Sequence, residues 1–381
     1  MLIGSQVSKF DSPIRRNPFA GLKPETKSLE RKQKLKEDKA IRQLTKLWEK
    51  HQLQEIGESW DVNKLYSELE KDLTDIDFGA EDIRRFCALW LSILQNQYGE
   101  DSRLETKAGV FLSVLMNCGK DKEYELDVEN FPQMRYLGYR NLKNIRINGS
   151  VGYNCAESMA GGTIEIFGDC KSICECMTGG KVIIHGKVSD AGILAKGGEI
   201  IIYGNAKNIG SNAKRCNITV YGNVEEITPA NECTIRIEGD ICRMNEYGYE
   251  KVSIGNGNLY IKGNVGTVNR SITRFFCEIN ETVRIDGIVY GWMSFSGKGK
   301  AHLSVDNLIF QMNLHIELQR HYTKERLRYT WSSKVDVYCG EVLILRREEY
   351  VDFQKVIGQL EAMKKSANES LDKTNQNAGR S

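Results

Sequence analysis

Proline and histidine are both scarce in this chain, 5 of each in 381 residues. Pro13, Pro18 and Pro24 fall together near the start and break any regular element there, so residues 1–27 read as a flexible tail. None of the five histidines belongs to an H-E-x-x-H pair. A G-x-S-x-G nucleophile elbow and a G-x4-G-K-[ST] phosphate loop are also missing. Those absences remove the sequence signatures of zinc hydrolases, serine hydrolases and P-loop nucleotide enzymes. No apolar run approaches the roughly 20 residues that span a bilayer, and Met1 to Pro24 lacks the apolar core of a secretion signal. Net charge is only +2, so no global field draws the chain to nucleic acid or anionic lipid. The eleven cysteines are an odd number in a large chain without secretion signals. Reduced thiols and a cytoplasmic address are the expectation.

Glycine, by contrast, is abundant at 35 residues, and much of it is periodic. From Ile145 the chain repeats one phrase: apolar, any, apolar, any, glycine. It reads Ile145-Arg-Ile147-Asn-Gly149, Ile164-Glu-Ile166-Phe-Gly168 and Val182-Ile-Ile184-His-Gly186, and continues to Gly204, Gly222, Gly239, Gly263 and Gly287. Successive glycines stand 19, 18, 18, 18, 17, 24 and 24 residues apart. A fixed period near 18 marks a solenoid of stacked coils. A six-residue rhythm runs beneath it: Ile164, Cys170, Cys176, Val182, Val188, Leu194, Ile200, Ala206, Asn212, Ile218, Val224 and Ala230, all apolar but Asn212. It predicts three sides per coil with one inward residue on each. The eight glycines are read as structural corners, where positive φ or close backbone approach disfavours a Cβ. The residues after them, such as Ser150, Asp169, Asn205, Asn223, Asp240 and Asn264, suit a corner ladder of side chains bonding to backbone. The 24-residue intervals predict extra loop residues, the likelier seat of any function on the rod.

Before the repeats, residues 28–130 are expected to form a helical bundle. Ile41, Leu44, Leu47 and Trp48 share a helix face. A second helix starts near Asp61, and a third carries Ile83, Phe86, Trp90 and Leu94. The fourth opens with the capping box Ser102-Arg-Leu-Glu105. The β-helix is assigned to 131–346, a capping helix to 347–365 and a disordered tail to 366–381. The fold class is therefore α+β and β-dominated. The flanking helices are expected to cover strand edges that would otherwise aggregate.

The segment Gly149-Ser-Val-Gly-Tyr-Asn-Cys-Ala-Glu-Ser-Met159-Ala-Gly161-Gly162 and the later Met177-Thr-Gly-Gly180 and Ala195-Lys-Gly-Gly198 resemble the glycine-rich GXGXG β-helix domain. That domain occurs at the C-terminus of the glutamate synthase large subunit and in one of the component chains of formylmethanofuran dehydrogenase. The likeness is strongest over 145–205 and fades at Cys216 and Cys233, which stand where the glycine pair should be. The resemblance implies a right-handed parallel β-helix that joins catalytic domains or subunits and has no catalytic residues of its own.

Single residues are weighed on the same footing. Cys170, Cys174 and Cys176 make C-x3-C-x-C rather than the paired C-x2-C of zinc and iron–sulfur sites. Core packing is the favoured reading, with a disulfide between Cys155 and Cys174, or Cys216 and Cys233, as the alternative. His185 is read as outward and solvated. Gln319 to Trp331 mixes Arg320, Lys324, Arg326 and Arg328 with aromatics, as does a single-strand nucleic-acid site, and Lys23 to Lys39 is lysine-rich. Solvated edges are favoured for both. Tyr290, Trp292 and Phe295 are read as sealing the rod. No catalytic, cofactor or metal residue is assigned. The expected function is a non-catalytic scaffold or protein-interaction protein. The alternative is a non-catalytic subunit of a glutamate synthase-like or formylmethanofuran dehydrogenase-like complex. Partners are then protein chains or enzyme subunits, with neither nucleic acid nor membrane, and the oligomeric state stays open. A polymer-forming rod resembling the bactofilins would need ends that stack.

Overall fold

The computed structural model describes residues 39–52, 62–94, 102–129, 134–241, 249–254, 256–266, 274–290, 292–321, 336–339, 341–345 and 353–378. The tail over 1–27, the lysines before Lys39 and all but the start of the Gln319–Trp331 patch lie outside these residues. Each solenoid coil begins with a short strand whose alternate residues are buried. β1 (Glu123–Asp127), β2 (Asn144–Asn148), β3 (Thr163–Ile166), β5 (Lys181–Ile184), β7 (Glu199–Ile202) and β9 (Asn217–Val220) pair in parallel. β11 (Thr234–Ile237), β13 (Asn258–Ile261), β15 (Thr282–Ile285), β17 (Lys300–Leu303) and β18 (Asp336–Cys339) continue the sheet, and β19 (Val342–Leu345) turns antiparallel at its end. Ile164, Val182, Ile200, Ile218, Ile235, Leu259 and Val283 lie in one fully buried column along these strands. Burying each such side chain contributes roughly 1.5–3 kcal/mol, and only the stack of coils buries them on both sides.

After the corner comes a second parallel sheet of β4 (Cys170–Ile173), β6 (Val188–Ala191), β8 (Ala206–Ile209) and β10 (Val224–Ile227). At Gly149 φ is positive, at 117°, but from Gly168 on close approach rather than φ selects the corner glycines: a Cβ on Gly186 would sit 2.3 Å from the carbonyl oxygen of Gly168. Left-handed backbone belongs instead to the second glycine of each pair, Gly162, Gly180 and Gly198, with φ of 70°, 88° and 96°.

The six-residue rhythm fails on the third side. Leu194 and Asn212 are exposed and Cys176 is partly so, while Met177, Ala195 and Ala213 are buried beside them. Left-handed residues cause the change of parity. Cys176, Leu194 and Asn212 have φ of 54°, 53° and 53°, which turns them outward and the next residue in. The 24-residue intervals also differ from expectation: their additional residues are not only loop. They include the six-residue strands β12 (Tyr249–Ile254) and β14 (Arg274–Ile279), which with β16 (Trp292–Gly297), just after Gly287, make a third parallel sheet.

Helices close both ends of the stack. At the start, α1 (Lys39–Gln52), α2 (Val62–Asp72), α3 (Ala80–Leu94) and α4 (Ser102–Cys118) pack around Trp48, Phe86, Trp90 and Phe111. α4 presses its Gly109 against the first coil, where a Cβ would lie 1.9 Å from Arg135 O. One turn later the Ser113 hydroxyl accepts from the N–H of Gly138 and Tyr139 at 2.8 and 3.1 Å. Asn117, four residues on, accepts from Leu142 N–H and donates to Tyr139 O. At the far end α5 (Val305–His321) repeats the device. Asn307 accepts from Val289 N–H at 3.2 Å and Gln311 donates to Val289 O at 2.7 Å. An i, i+4 pair of polar side chains thus stands in for the missing strand at each end. Tyr290 meets Phe310 of α5 edge-on and Phe295 is buried, so these two aromatics take the sealing place, and the Trp292 side chain lies outside what the structure describes.

Three boundaries move. β1 joins the long sheet from inside the stretch assigned to the bundle. α5 interrupts the stretch assigned to strands, because its first residues cap the stack rather than extend it. The final helix, α6 (Phe353–Ala378), runs on through most of the tail expected to be disordered. Val356 and Leu360 anchor its buried face.

Candidate functional site

The outward face of the twelve-stranded sheet carries side chains that packing of the coil interior does not fix. Register fixes two columns on it. The first holds Glu165, Ile183, Ile201 and Thr219, then Arg236, Tyr260, Arg284 and His302. The second holds the residue before each corner glycine: Phe167, His185, Tyr203 and Tyr221, then Glu238, Lys262 and Asp286.

In the early coils the second column is a stack of rings. Centroids of Phe167–His185, His185–Tyr203 and Tyr203–Tyr221 are 4.5, 5.1 and 4.9 Å apart, with planes within 12° of parallel. This is the strand spacing, so the backbone ladder sets it. The Arg146 guanidinium caps Phe167 at 4.6 Å, and His185 bonds to Glu165 at 2.9 Å. His185 is outward, as expected, but stacked and paired rather than simply solvated. Because the rings cover one another's faces, a flat ligand cannot stack on the inner ones. Their edges face solvent, with Tyr203 and Tyr221 each 48% exposed. Beside them lie the half-exposed Ile183 and Ile201, which makes a contiguous aliphatic and aromatic strip.

Charge replaces this strip in the later coils. Arg236 bonds to Glu238, Lys262 reaches the same carboxylate at 3.1 Å, and Arg284 pairs with Asp286 at 2.9 Å. These side chains and Tyr260 line a shallow cleft of about 340 Å³. The hydrogen bond from Arg236 and then that from Lys262 hold the Glu238 carboxyl below its ordinary range. A second depression, about 590 Å³, runs along the second sheet past Lys171, Lys187, Ser189 and Lys207. Lys171 there already lies over the Tyr153 ring, 5.0 Å from its centroid.

The polar residues after the corners have structural partners. Asp169 accepts from Lys187 N–H at 2.7 Å, Asn205 from Asn223, Asn223 from Asp240, Asp240 from Asn264, and Asn264 from Ile288. This is the corner ladder the sequence predicts. Cys155, Cys170 and Cys174 are buried as core side chains. Burial pushes the Cys155 thiol up to about 12 and raises those of Cys170 and Cys174 as well. Cys155 does not stack on Cys174: it bridges Ile173, because the first coil holds one residue more. Cys216 and Cys233 do meet. Among the described residues no group of three or more His, Cys, Asp or Glu side chains could hold a metal ion. His51 bonds to Asp72 inside the bundle at 2.7 Å, and His302 stacks on Tyr338.

The signal for the ring stack was present in the sequence, since four successive corner glycines follow Phe, His, Tyr and Tyr. Comparison of the chain with family models, curated proteins and solved structures gives no match.

Proposed function

We propose that this protein is a non-catalytic scaffold that docks another protein chain on the outward face of its long sheet. One observation supports this reading above the others. The ladder holds Ile183, Ile201, Tyr203 and Tyr221 in a solvent-facing apolar strip, on a surface the coil interior leaves unconstrained. A strip of this kind rimmed by ion pairs such as Lys181–Glu199, 2.9 Å apart, has the apolar centre and polar rim of a protein interface. The partner chemistry it fits is an apolar patch on a folded protein. Cys87, Cys118, Cys155, Cys170 and Cys174 are free thiols, which is compatible with the cytoplasmic setting we assign.

A second reading is favoured by the glycine pairs. Gly162, Gly180 and Gly198 take left-handed backbone after the buried Met159, Met177 and Ala195, in keeping with the GXGXG resemblance. On that reading the partner is a catalytic subunit of a glutamate synthase-like or formylmethanofuran dehydrogenase-like enzyme. Gentle purification from source cells through a C-terminal tag, with protein and cofactor identification, tests both. A stoichiometric partner supports the scaffold, and a cofactor on that partner supports the subunit reading. Recovery of the chain by itself overturns both.

A further inference from the structure

Cys216 and Cys233 lie outside the docking face, at the corner where coils of regular length give way to longer ones. Each immediately precedes a strand of the long sheet, and the register pairs Asn217 with Thr234. The two cysteines are therefore neighbours across adjoining parallel coils, at a strand separation of about 4.8 Å. That lies inside the range of roughly 4.4–6.8 Å between Cα atoms that a disulfide spans. The Cys233 side chain turns toward Cys216, whose backbone N–H approaches Cys233 Sγ at 3.5 Å. Cys216 Sγ is 3.3 Å from Lys214 O, and Cys233 Sγ is 3.2 Å from Asn231 O.

Both cysteines are buried, next to exposed neighbours. The residues just before them, Arg215 and Glu232, have left-handed φ and side chains 70% and 48% exposed. The pair is also electrostatically unequal. A hydrogen bond from the Cys216 thiol, joined by backbone N–H groups, brings Cys233 down to about 7, while the same contact and burial push Cys216 up. Cys87, sealed in the bundle core, is by contrast pushed up to about 12 by burial.

We propose that Cys216 and Cys233 form a modification site, a dithiol that hydroperoxides close reversibly into a disulfide between two coils. In the first step the Cys233 thiolate attacks one oxygen of the peroxide. An S–O bond forms, the O–O bond breaks, and the leaving hydroxide takes a proton to become water. Cys233 is then a sulfenic acid, oxidised by two electrons as the peroxide is reduced. In the second step Cys216 gives up its proton and attacks the Cys233 sulfur. The S–S bond forms, the S–O bond breaks, and the hydroxide leaves with that proton as a second water. Glutathione or another small thiol reverses the bridge by exchange. The site does not depend on the docking reading, since it needs no partner chain.

The test treats the full chain with hydrogen peroxide, alkylates the remaining thiols and maps the peptides by mass spectrometry. The expected result is a Cys216–Cys233 crosslink lacking two hydrogens, removed by dithiothreitol. With C216S, dimedone should label Cys233 after peroxide, whereas with C233S it should leave Cys216 unlabelled. Should a serine variant fail to fold, the map of the unaltered chain decides alone. Alkylation of both Cys216 and Cys233 after peroxide, with oxidation confined to the exposed Cys118, would overturn the proposal.

Discussion

From Gly149 to Gly239 the coils take 17–19 residues, and from Gly239 to Gly287 they take 24, yet one buried column passes through both halves. Ile164 and Ile200 in the early coils, and Leu259 and Val283 in the later ones, are all fully buried at the same register position. Outside, the halves part. Stacked rings and isoleucines cover the early strands; arginine, lysine and carboxylate pairs cover the later ones. The inside of a parallel coil is dictated by its neighbours, whereas the outside is free once the ladder is made. Function is accordingly sought in the outward difference, and stability in what the halves share.

The largest effect should fall on the shared element. Gly186→Ala in the early half and Gly263→Ala in the later half each drive a Cβ to 2.3 Å from a neighbouring backbone carbonyl oxygen. We expect both to cost about 3 kcal/mol, the upper end of overpacking, measured by urea unfolding. If one half tolerates alanine, the claim of a common corner breaks. Next come the two ends. Asn117→Ala and Gln311→Ala each leave backbone groups of the terminal coil without a partner, a loss of about 1–3 kcal/mol. The Asn117 variant strands more of them, and calorimetry of the pair checks that order.

The outer face then sharpens the contrast. Tyr203→Ala removes two ring pairs, about 1–2 kcal/mol in all, and the loss should be insensitive to salt. Arg284→Ala opens one exposed ion pair and should cost less than about 1 kcal/mol, with most of that gone at high ionic strength. The smallest effect concerns acid. Glu238 has a folded pKa below its ordinary 4.5, so its contribution is complete above the unfolded value and fades as pH falls through the folded one. A double-mutant cycle of Arg236 and Glu238 should therefore show coupling at neutral pH that vanishes in strong acid.

Much of the architecture was legible because burial writes a period into the sequence. The corner glycines, the apolar positions two and four residues before them and the helix faces of the bundle needed no tertiary information. The third side was misjudged because Cys176, Leu194 and Asn212 look like members of an inward column, and only their left-handed backbone turns them out. α5 was missed because its early residues Asn307 and Gln311 serve the open edge of another segment, a long-range role without a local pattern. The ring stack was spelled out before four glycines, but its meaning depended on knowing that the coils stack in register. Cys216 and Cys233 do lie side by side in adjoining coils, as the alternative to core packing required, while Cys155 and Cys174 do not share a register position, the difference being one inserted residue in the first coil.

The most direct test of the docking face is native mass spectrometry of the tagged chain purified from its source cells, run beside two variants. Ile201→Lys places a charge in the apolar strip, and Arg284→Glu reverses one in the ion-paired half. The account predicts a stoichiometric protein partner that Ile201→Lys loses and Arg284→Glu keeps, with both variants folded. A partner that Ile201→Lys retains, or a chain recovered with no partner at all, would contradict it.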